Sequence, residues 1–356
     1  MSKIAIITDT HLGARSGSKV FRNLFREYYR DVFFPCLEEH DIHTIYHLGD
    51  FFDNRNSVSL HDVDYVMNEF LPLLEEHKVH MTVIAGNHDV AFRNTNKINS
   101  LSMLKASPYV TVIDNSIEVI ETECKNFVFV PWMNSENQDE FLEELKYYAN
   151  DDHICLVHAS FNGMKMYKNS PVCEHGLEPT DFNKFHKVLS GHFHHPNKYG
   201  NVEYLGALFH FNWQDYDDWR GFHVYDPETN EFEAVENPYC LFDQFIYYDG
   251  IEDDFDNEDL SVEGQIIRVI VNEEHDKVKL KDFINRLEKS NPVSVDVIDN
   301  TVVEREFSSD DQDDVEIKEL HEYAKEALEG VDNGDDLMVL FNRVHDEAKE
   351  RMKEIE

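Results

Sequence analysis

The chain is 356 residues long, 41% hydrophobic and 12% aromatic, with 25 Phe and 16 Tyr, enough apolar side chain for a core larger than one average domain needs. Its formal charge of -40, from 72 acidic against 32 basic side chains, argues against non-specific binding of nucleic acid by the chain alone, because an acidic surface repels phosphate. No apolar run is long enough to predict a membrane span, and the five Cys are scattered and never form a C-x-x-C pair, which argues against a disulfide framework and a structural zinc site.

The N-terminus runs directly into an apolar stretch without a basic segment or cleavage site, so a cytoplasmic protein is expected. Residues 4–7 read as a strand, 20–32 have helical spacing (Val20, Leu24, Phe25, Tyr28, Val32), and 43–48 are again strand-like. Ser59 is a plausible cap for a helix reaching Glu76, with Val63, Val66, Met67, Phe70 and Leu74 as its apolar stripe; 79–85 then return to strand. This βαβαβ rhythm predicts a sheet covered by helices, with loops at the strand ends free to carry chemistry. Closely spaced strands follow at 110–113, 117–121 and 127–131, then a helix over 139–148 and strands at 153–158, 187–191, 202–205 and 222–225. A mixed α/β sandwich fits this pattern better than a purely parallel doubly wound sheet.

The acidic, aperiodic stretch 249–259 reads as a linker. Beyond it, a strand at 265–271, a helix at 278–287 and a strand at 293–298 predict a small βαβ unit. A second acidic linker over 308–314 leads to two amphipathic helices. The first places Val315, Leu320, Tyr323, Ala327 and Leu328 on one side, the second Leu337, Leu340, Phe341, Val344, Ala348 and Met352. Residues 251–356 hold 33 acidic and 13 basic side chains, so they carry half of the excess negative charge.

Five short segments stand where strands should end: Asp9-Thr10-His11, Gly49-Asp50, Gly86-Asn87-His88-Asp89, Val157-His158 and Gly191-His192-Phe193-His194. Each offers oxygen or imidazole ligands, a set suited to Mn²⁺, Mg²⁺, Fe or Zn²⁺ rather than to a thiolate-selected metal. In Asp9-x-His11 and His192-x-His194 an extended backbone would point both side chains the same way. Gly49 and Gly191 would let the chain turn tightly beside the ligands. Each segment alone is a common pattern; the ordered set with its strand context is not.

That ordered set resembles the calcineurin-like metallophosphoesterases. The whole chain is similar to the SbcD-type nuclease subunits of double-strand-break repair and recombination complexes, particularly their phage-encoded branch. The similarity rests on Gly49-Asp50-Phe51-Phe52-Asp53 with Arg55 downstream, on Pro131-Trp132, on His175-Gly176-Leu177-Glu178-Pro179, and on Tyr204-Leu205-Gly206. It implies an α/β fold, a four-layer αββα sandwich over residues 1–248, followed by a small α+β capping domain at 260–306, an acidic linker at 307–314 and a helical hairpin at 315–356. It also implies two divalent metal ions, with Mn²⁺ expected. One would be held by Asp9, His11, Asp50 and His194, the other by Asp50, Asn87, His158 and His192, with Asp50 shared.

By the same resemblance, His88 would protonate the leaving 3′-oxygen or orient the scissile phosphate, and Asp89 would hold its other ring nitrogen. Asp53 stands where some family members carry a phosphate-contacting His and is expected to support the site from behind. Arg15 and Arg55 are candidate phosphate contacts, and the aromatic-rich 209–219 could stack on bases or pack around the site. The implied activity is exonuclease and single-strand endonuclease action on DNA ends, by direct hydrolysis without a covalent enzyme intermediate. The implied partner is an SbcC-type ABC ATPase bound through 315–356, which would supply the positive charge this chain lacks. A homodimer is compatible with this reading, and a phage origin would place the protein in the bacterial host cytoplasm. Two rival readings are a metallophosphoesterase for a small phosphodiester or phosphoprotein, favoured by the negative charge, and a structural adaptor for the ATPase.

Overall fold

Ile4–Ile7 sets the pattern of the fold, because all four residues are buried and successive side chains face opposite ways. Ile4 and Ile6 join one apolar cluster, Ala5 and Ile7 another, so this strand is covered on both faces and reads as an unbroken apolar run. In the computed structural model, which describes residues 2–251 and 262–301 together with Met338 and Phe341, this strand lies inside a six-stranded sheet. The order is Glu231–Glu236, Gly221–Asp226, Ile4–Ile7, Thr44–His47, His80–Ile84, Val110–Ile113. Its last four strands run parallel and the first two pairings are antiparallel.

A second six-stranded sheet has the order Asn197–Tyr199, Val202–Tyr204, Lys187–Gly191, His153–His158, Asn126–Val130, Glu118–Ile120. Its central four strands are parallel. The two sheets meet through a shared core in which Ile6, Tyr46, Leu48 and Ile84 pack with Phe127, Phe129, Leu156 and Leu189. The alternate residues of the first sheet face the helices. Lys19–Tyr28 buries Phe21, Leu24, Phe25 and Tyr28, spaced three and four apart, and continues through a π-helical turn at Tyr29–Phe33 into Phe34–Glu39. The second helix starts at Leu60, where the Ser59 side chain accepts the Asp62 amide at 3.2 Å. On the outer face of the other sheet, Gln138–Tyr148 buries Phe141 and Leu145.

A third sheet of three parallel strands, Phe242–Tyr247, Ile266–Val271 and Ser294–Asp299, is covered by the helix Lys277–Lys289 through Phe283 and Leu287. The sequence reading has the last two strands and the helix but not Phe242–Tyr247. It also lacks Glu231–Glu236, an edge strand that exposes Glu231, Glu233 and Glu236. Met1–Asn300 forms one compact unit. Residues 252–259 of the acidic linker read over 249–259, the acidic linker at 308–314 and, apart from Met338 and Phe341, the two amphipathic helices of the tail lie outside the described residues. All five cysteines are described and free.

Candidate metal centre

All five expected segments follow the carboxyl ends of parallel strands, three from the first sheet and two from the second. Such strand ends are where open α/β sheets place ligands. The loops are stitched to one another by their backbones: the amides of Asp9, His11 and Leu12 donate to the carbonyls of Gly49, Asp50 and Phe51 at 3.1, 3.0 and 2.8 Å. Asp9, His11, Asp50 and His192 adopt left-handed backbone, with φ of 50°, 43°, 53° and 91°. The expectation of extended D-x-H and H-x-H segments is therefore corrected. The side chains converge because successive residues are wound into tight turns, each such non-glycine residue costing on the order of 1–3 kcal/mol that the surrounding hydrogen bonds must offset.

Gly49 is left-handed too, at φ +91°, and a Cβ there would stand 2.6 Å from His158 Nδ1 and 2.9 Å from the Gly86 backbone. Gly191 acts through close approach rather than turning: its Cβ would lie 2.1 Å from Thr8 Oγ1 and 2.7 Å from the Leu48 carbonyl.

Asp9, His11 and His194 form one group of mutually close ligand atoms, and Asp50, His158 and His192 another. The Asp50 carboxylate lies between them, its Oδ2 3.3 Å from His158 Nε2 and 3.8 Å from His11 Nε2. Its Oδ1 accepts the His88 amide at 2.7 Å. Asn87 Oδ1 is 3.1 Å from His158 Nε2. Asp9 is oriented by the Thr8 hydroxyl at 2.6 Å and the His192 amide at 3.0 Å.

The donor chemistry calls for cations. His158 Nδ1 donates to the Leu48 carbonyl at 2.7 Å, which turns the Nε2 lone pair toward Asn87 Oδ1 and Asp50 Oδ2, both acceptors. His11 Nε2 and His194 Nε2 face each other at 3.1 Å. Each cluster therefore needs a proton or a metal ion among its acceptors, and the ligand types suit a hard or borderline divalent ion. Without metal, protons serve. Burial pushes His11 and His158 down, but the carboxylates outweigh it: Asp53, Asp50 and Asp9 hold His11 at about 9, and Asp50 foremost holds His158 at about 9. Burial opposes ionisation of Asp50 as well, yet His158, His11 and His88 keep it well below the carboxylate range.

His88 is half-buried, edge-on to the His11 ring at 4.9 Å. Its Nδ1 is 2.5 Å from the Asp53 carbonyl. The expectation that Asp89 holds His88 is thus corrected. Asp89 is fully buried beneath the loops, where its Oδ2 accepts the Gly86 and Phe51 amides at 2.9 and 3.3 Å and its Oδ1 accepts the Phe52 amide at 3.0 Å. A carboxylate so occupied clamps the Gly49–Phe52 turn to the Gly86–Asp89 turn. Burial and the charge of Asp50 raise it to about 7 despite those amides.

Asp53 Oδ1 is 3.4 Å from His11 Nδ1. Arg15 spends its Nε on the Phe211 carbonyl at 2.8 Å, and Arg55 is half-buried in the turn after Asp53. The 209–219 stretch packs rather than projects: Phe209 lies against Phe25 at 4.7 Å, Phe211 against His11 at 5.1 Å, and Trp213 against Phe242 at 5.1 Å.

Two supporting groups were not anticipated. His47, under the Gly49 turn, accepts the Gly49 amide on Nδ1 at 3.2 Å and meets Thr10 Oγ1 through Nε2 at 3.0 Å. Burial first, then the neighbouring His158, lowers it to about 3, so it stays neutral. Asp215 meets His194 Nδ1 at 3.3 Å; nothing in its local sequence marks it, since the contact spans 21 residues.

A cleft of about 190 Å³ opens onto His11, Asp50, His88, His192 and His194, walled by Met166, Tyr167 and Phe211. A second, of about 240 Å³, reaches His158 past Trp132 and His175. A cavity of about 580 Å³ beside the Gln138–Tyr148 helix shares no residue with the centre and contains no histidine. Among the described residues no helix is long and apolar enough to cross a membrane.

Exonuclease subunit 1 of Enterobacteria phage T4 is 29% identical over 332 residues, covering 92% of this chain and 93% of that protein. Among solved structures, an archaeal phosphodiesterase is 13% identical with a TM-score of 0.33, over 66% of this chain and 99% of its own. Pseudomonas putida nuclease MPE is 16% identical with a TM-score of 0.32, over 65% and 87%. Residues 2–196 match the calcineurin-like phosphoesterase family model. That match spans more than half of the chain and every side chain of the cluster from Asp9 to His194, so the protein belongs to the calcineurin-like phosphoesterase family.

Proposed function

We propose that this chain is a metal-dependent DNA nuclease, acting as an exonuclease and single-strand endonuclease at DNA ends in recombination and repair. The observation that carries the reading is the nearly end-to-end alignment with a phage exonuclease subunit, over a cluster whose ligand atoms lie close enough together to hold metal ions. The word subunit in that relative's name supports a partner, here an SbcC-type ABC ATPase docked on residues 315–356 of the tail. The division into a nuclease domain at 1–248, a capping domain at 260–306 and that tail is part of the proposal, as is a cytoplasmic location.

In this reading Asp9, His11 and His194 hold one divalent ion, Asn87, His158 and His192 the other, and Asp50 serves both. Mn²⁺ is the proposed metal. Bound there, the ions would offset phosphate charge and lower the pKa of an attacking water. The chain's own residues supply the rest. Asp9 and Asp50 are fixed by Thr8, His192 and His88 amides or hydroxyls before substrate arrives, so little reorganisation is needed at the reacting centre. His88 keeps Nδ1–H on the Asp53 carbonyl, so the doubly protonated ring would pass its Nε2 proton to the departing 3′-oxygen and remain as the neutral Nδ1–H form. Trp132 and Phe211 wall the centre with apolar surface and limit water around it.

The test is cleavage of end-labelled duplex and single-stranded DNA with Mn²⁺, Mg²⁺ or chelator, with and without the ATPase. DNA cleavage that needs metal and is abolished in Asp50→Asn supports the reading. Rapid hydrolysis of a small chromogenic diester with no action on DNA would replace it by the small-phosphodiester alternative, which the charge of -40 favours.

A further inference from the structure

Asp215 belongs to no motif, yet it is fully buried against one of the converging imidazoles. Its Oδ1 lies 3.3 Å from His194 Nδ1 and also accepts Arg220 Nη2 at 2.6 Å. Its Oδ2 accepts the amides of Phe211 and Asn212 at 2.9 and 3.1 Å. Arg220 is itself among the largest fully buried side chains, with Nη1 on Asp218 Oδ2 at 3.1 Å and on the Trp219 carbonyl at 2.6 Å. Asp218 in turn meets His195 Nδ1 at 2.9 Å.

A buried ion pair is a poor way to stabilise a loop, since apolar side chains of similar volume do as well without the desolvation cost. What this pair does, and an apolar pair could not, is accept a hydrogen bond from His194 Nδ1–H. With Nδ1–H committed to Asp215, the His194 lone pair sits on Nε2, the atom facing His11. Arg220 holds the carboxylate by a charge-assisted bond, so Asp215 stays beside the ring and does not swing toward a cation.

We propose that Asp215, held by Arg220, is a positioning residue that fixes the ring and tautomer of His194 and thereby sets the cation affinity of the Asp9, His11 and His194 group alone. This rests on the reading of that cluster as a metal centre. The second group owes its orientation to other contacts, His158 to the Leu48 carbonyl, and is independent of Asp215.

The experiment measures Mn²⁺ binding to the full chain by calorimetry for the wild type, Asp215→Asn and Asp215→Ala, with circular dichroism on the metal-free proteins. Histidine-selective ¹⁵N NMR of the metal-free chain in alkaline buffer reports the His194 tautomer, the signal being identified by its loss in His194→Gln. The expected result is one class of sites weakened by roughly 10–100-fold in Asp215→Ala, less in Asp215→Asn, with the other class unchanged. The His194 signal should change from a single Nδ1–H tautomer to a mixture. Unchanged affinities and tautomer in Asp215→Ala would overturn the inference while leaving the metal centre standing. Equal weakening of both classes, or unfolding of both variants, would make the pair a structural brace and overturn it too. A wild-type chain that binds no Mn²⁺ would overturn the metal-centre reading and this inference together.

Discussion

Asp89→Asn separates two roles for the carboxylate beneath the centre. In the structure it bonds three backbone amides, from Gly86, Phe51 and Phe52, and does not touch His88. Asparagine is nearly the same size, and its one carbonyl oxygen can keep the Oδ2 position and its two amides. Its NH₂ then faces the Phe52 amide, donor against donor, where Oδ1 accepted at 3.0 Å. A buried amide left unpaired costs about 1–3 kcal/mol, so the variant should lose about that much stability. Burial and Asp50 raise Asp89 to about 7, which penalises its charged form and offsets part of that loss above this value, so urea unfolding in chelator is measured on both sides of it. The folded fraction should retain His88-dependent cleavage. A variant within about 0.5 kcal/mol of wild type whose turnover has fallen by roughly 10²-fold or more would refute the clamp and restore Asp89 as the partner of the acid.

His88→Ala should keep both metals while cleavage falls by roughly 10²–10⁴-fold; loss of metal, measured by elemental analysis, would make His88 a ligand. Gly49→Ala forces left-handed backbone on a residue with a Cβ, 2.6 Å from His158 Nδ1, and should cost at least about 2 kcal/mol in chemical denaturation. The metal-free chain should lose stability as pH rises from about 6.5 to about 9, because His11 and His158 are held at about 9 in the folded state and their protonation stabilises only while they carry the proton. Saturating Mn²⁺ should flatten that decline, and thermal midpoints across this range with and without chelator check it. With a formal charge of -40, the chain alone should bind duplex DNA weakly at physiological salt. Tight, salt-sensitive binding in a fluorescence titration would contradict the charge argument.

Much of this centre is legible from local sequence, since Asp9, His11, Asp50, Asn87, His88, His158, His192 and His194 each follow an apolar run short enough to be a buried strand. Buried parallel strands must be apolar on both faces, and their ends are where polar side chains can begin, so strand context and ligand type are written in the same few residues. The small βαβ unit was legible for the same reason of period, whereas the edge strand Glu231–Glu236 was not, because half-exposed edges tolerate a sequence that resembles a loop. Only the tertiary structure decided how the ligands converge. Left-handed turns at Asp9, His11 and Asp50 are held by hydrogen bonds between loops some forty residues apart, and that at His192 by its amide on Asp9, and no local periodicity records such conformations. The same holds for the partners behind the site. Asp89 serves three amides rather than the adjacent His88, and Asp215 reaches His194 from a separate loop, because a buried carboxylate goes where unpaired donors are, and the fold alone brings those donors to it.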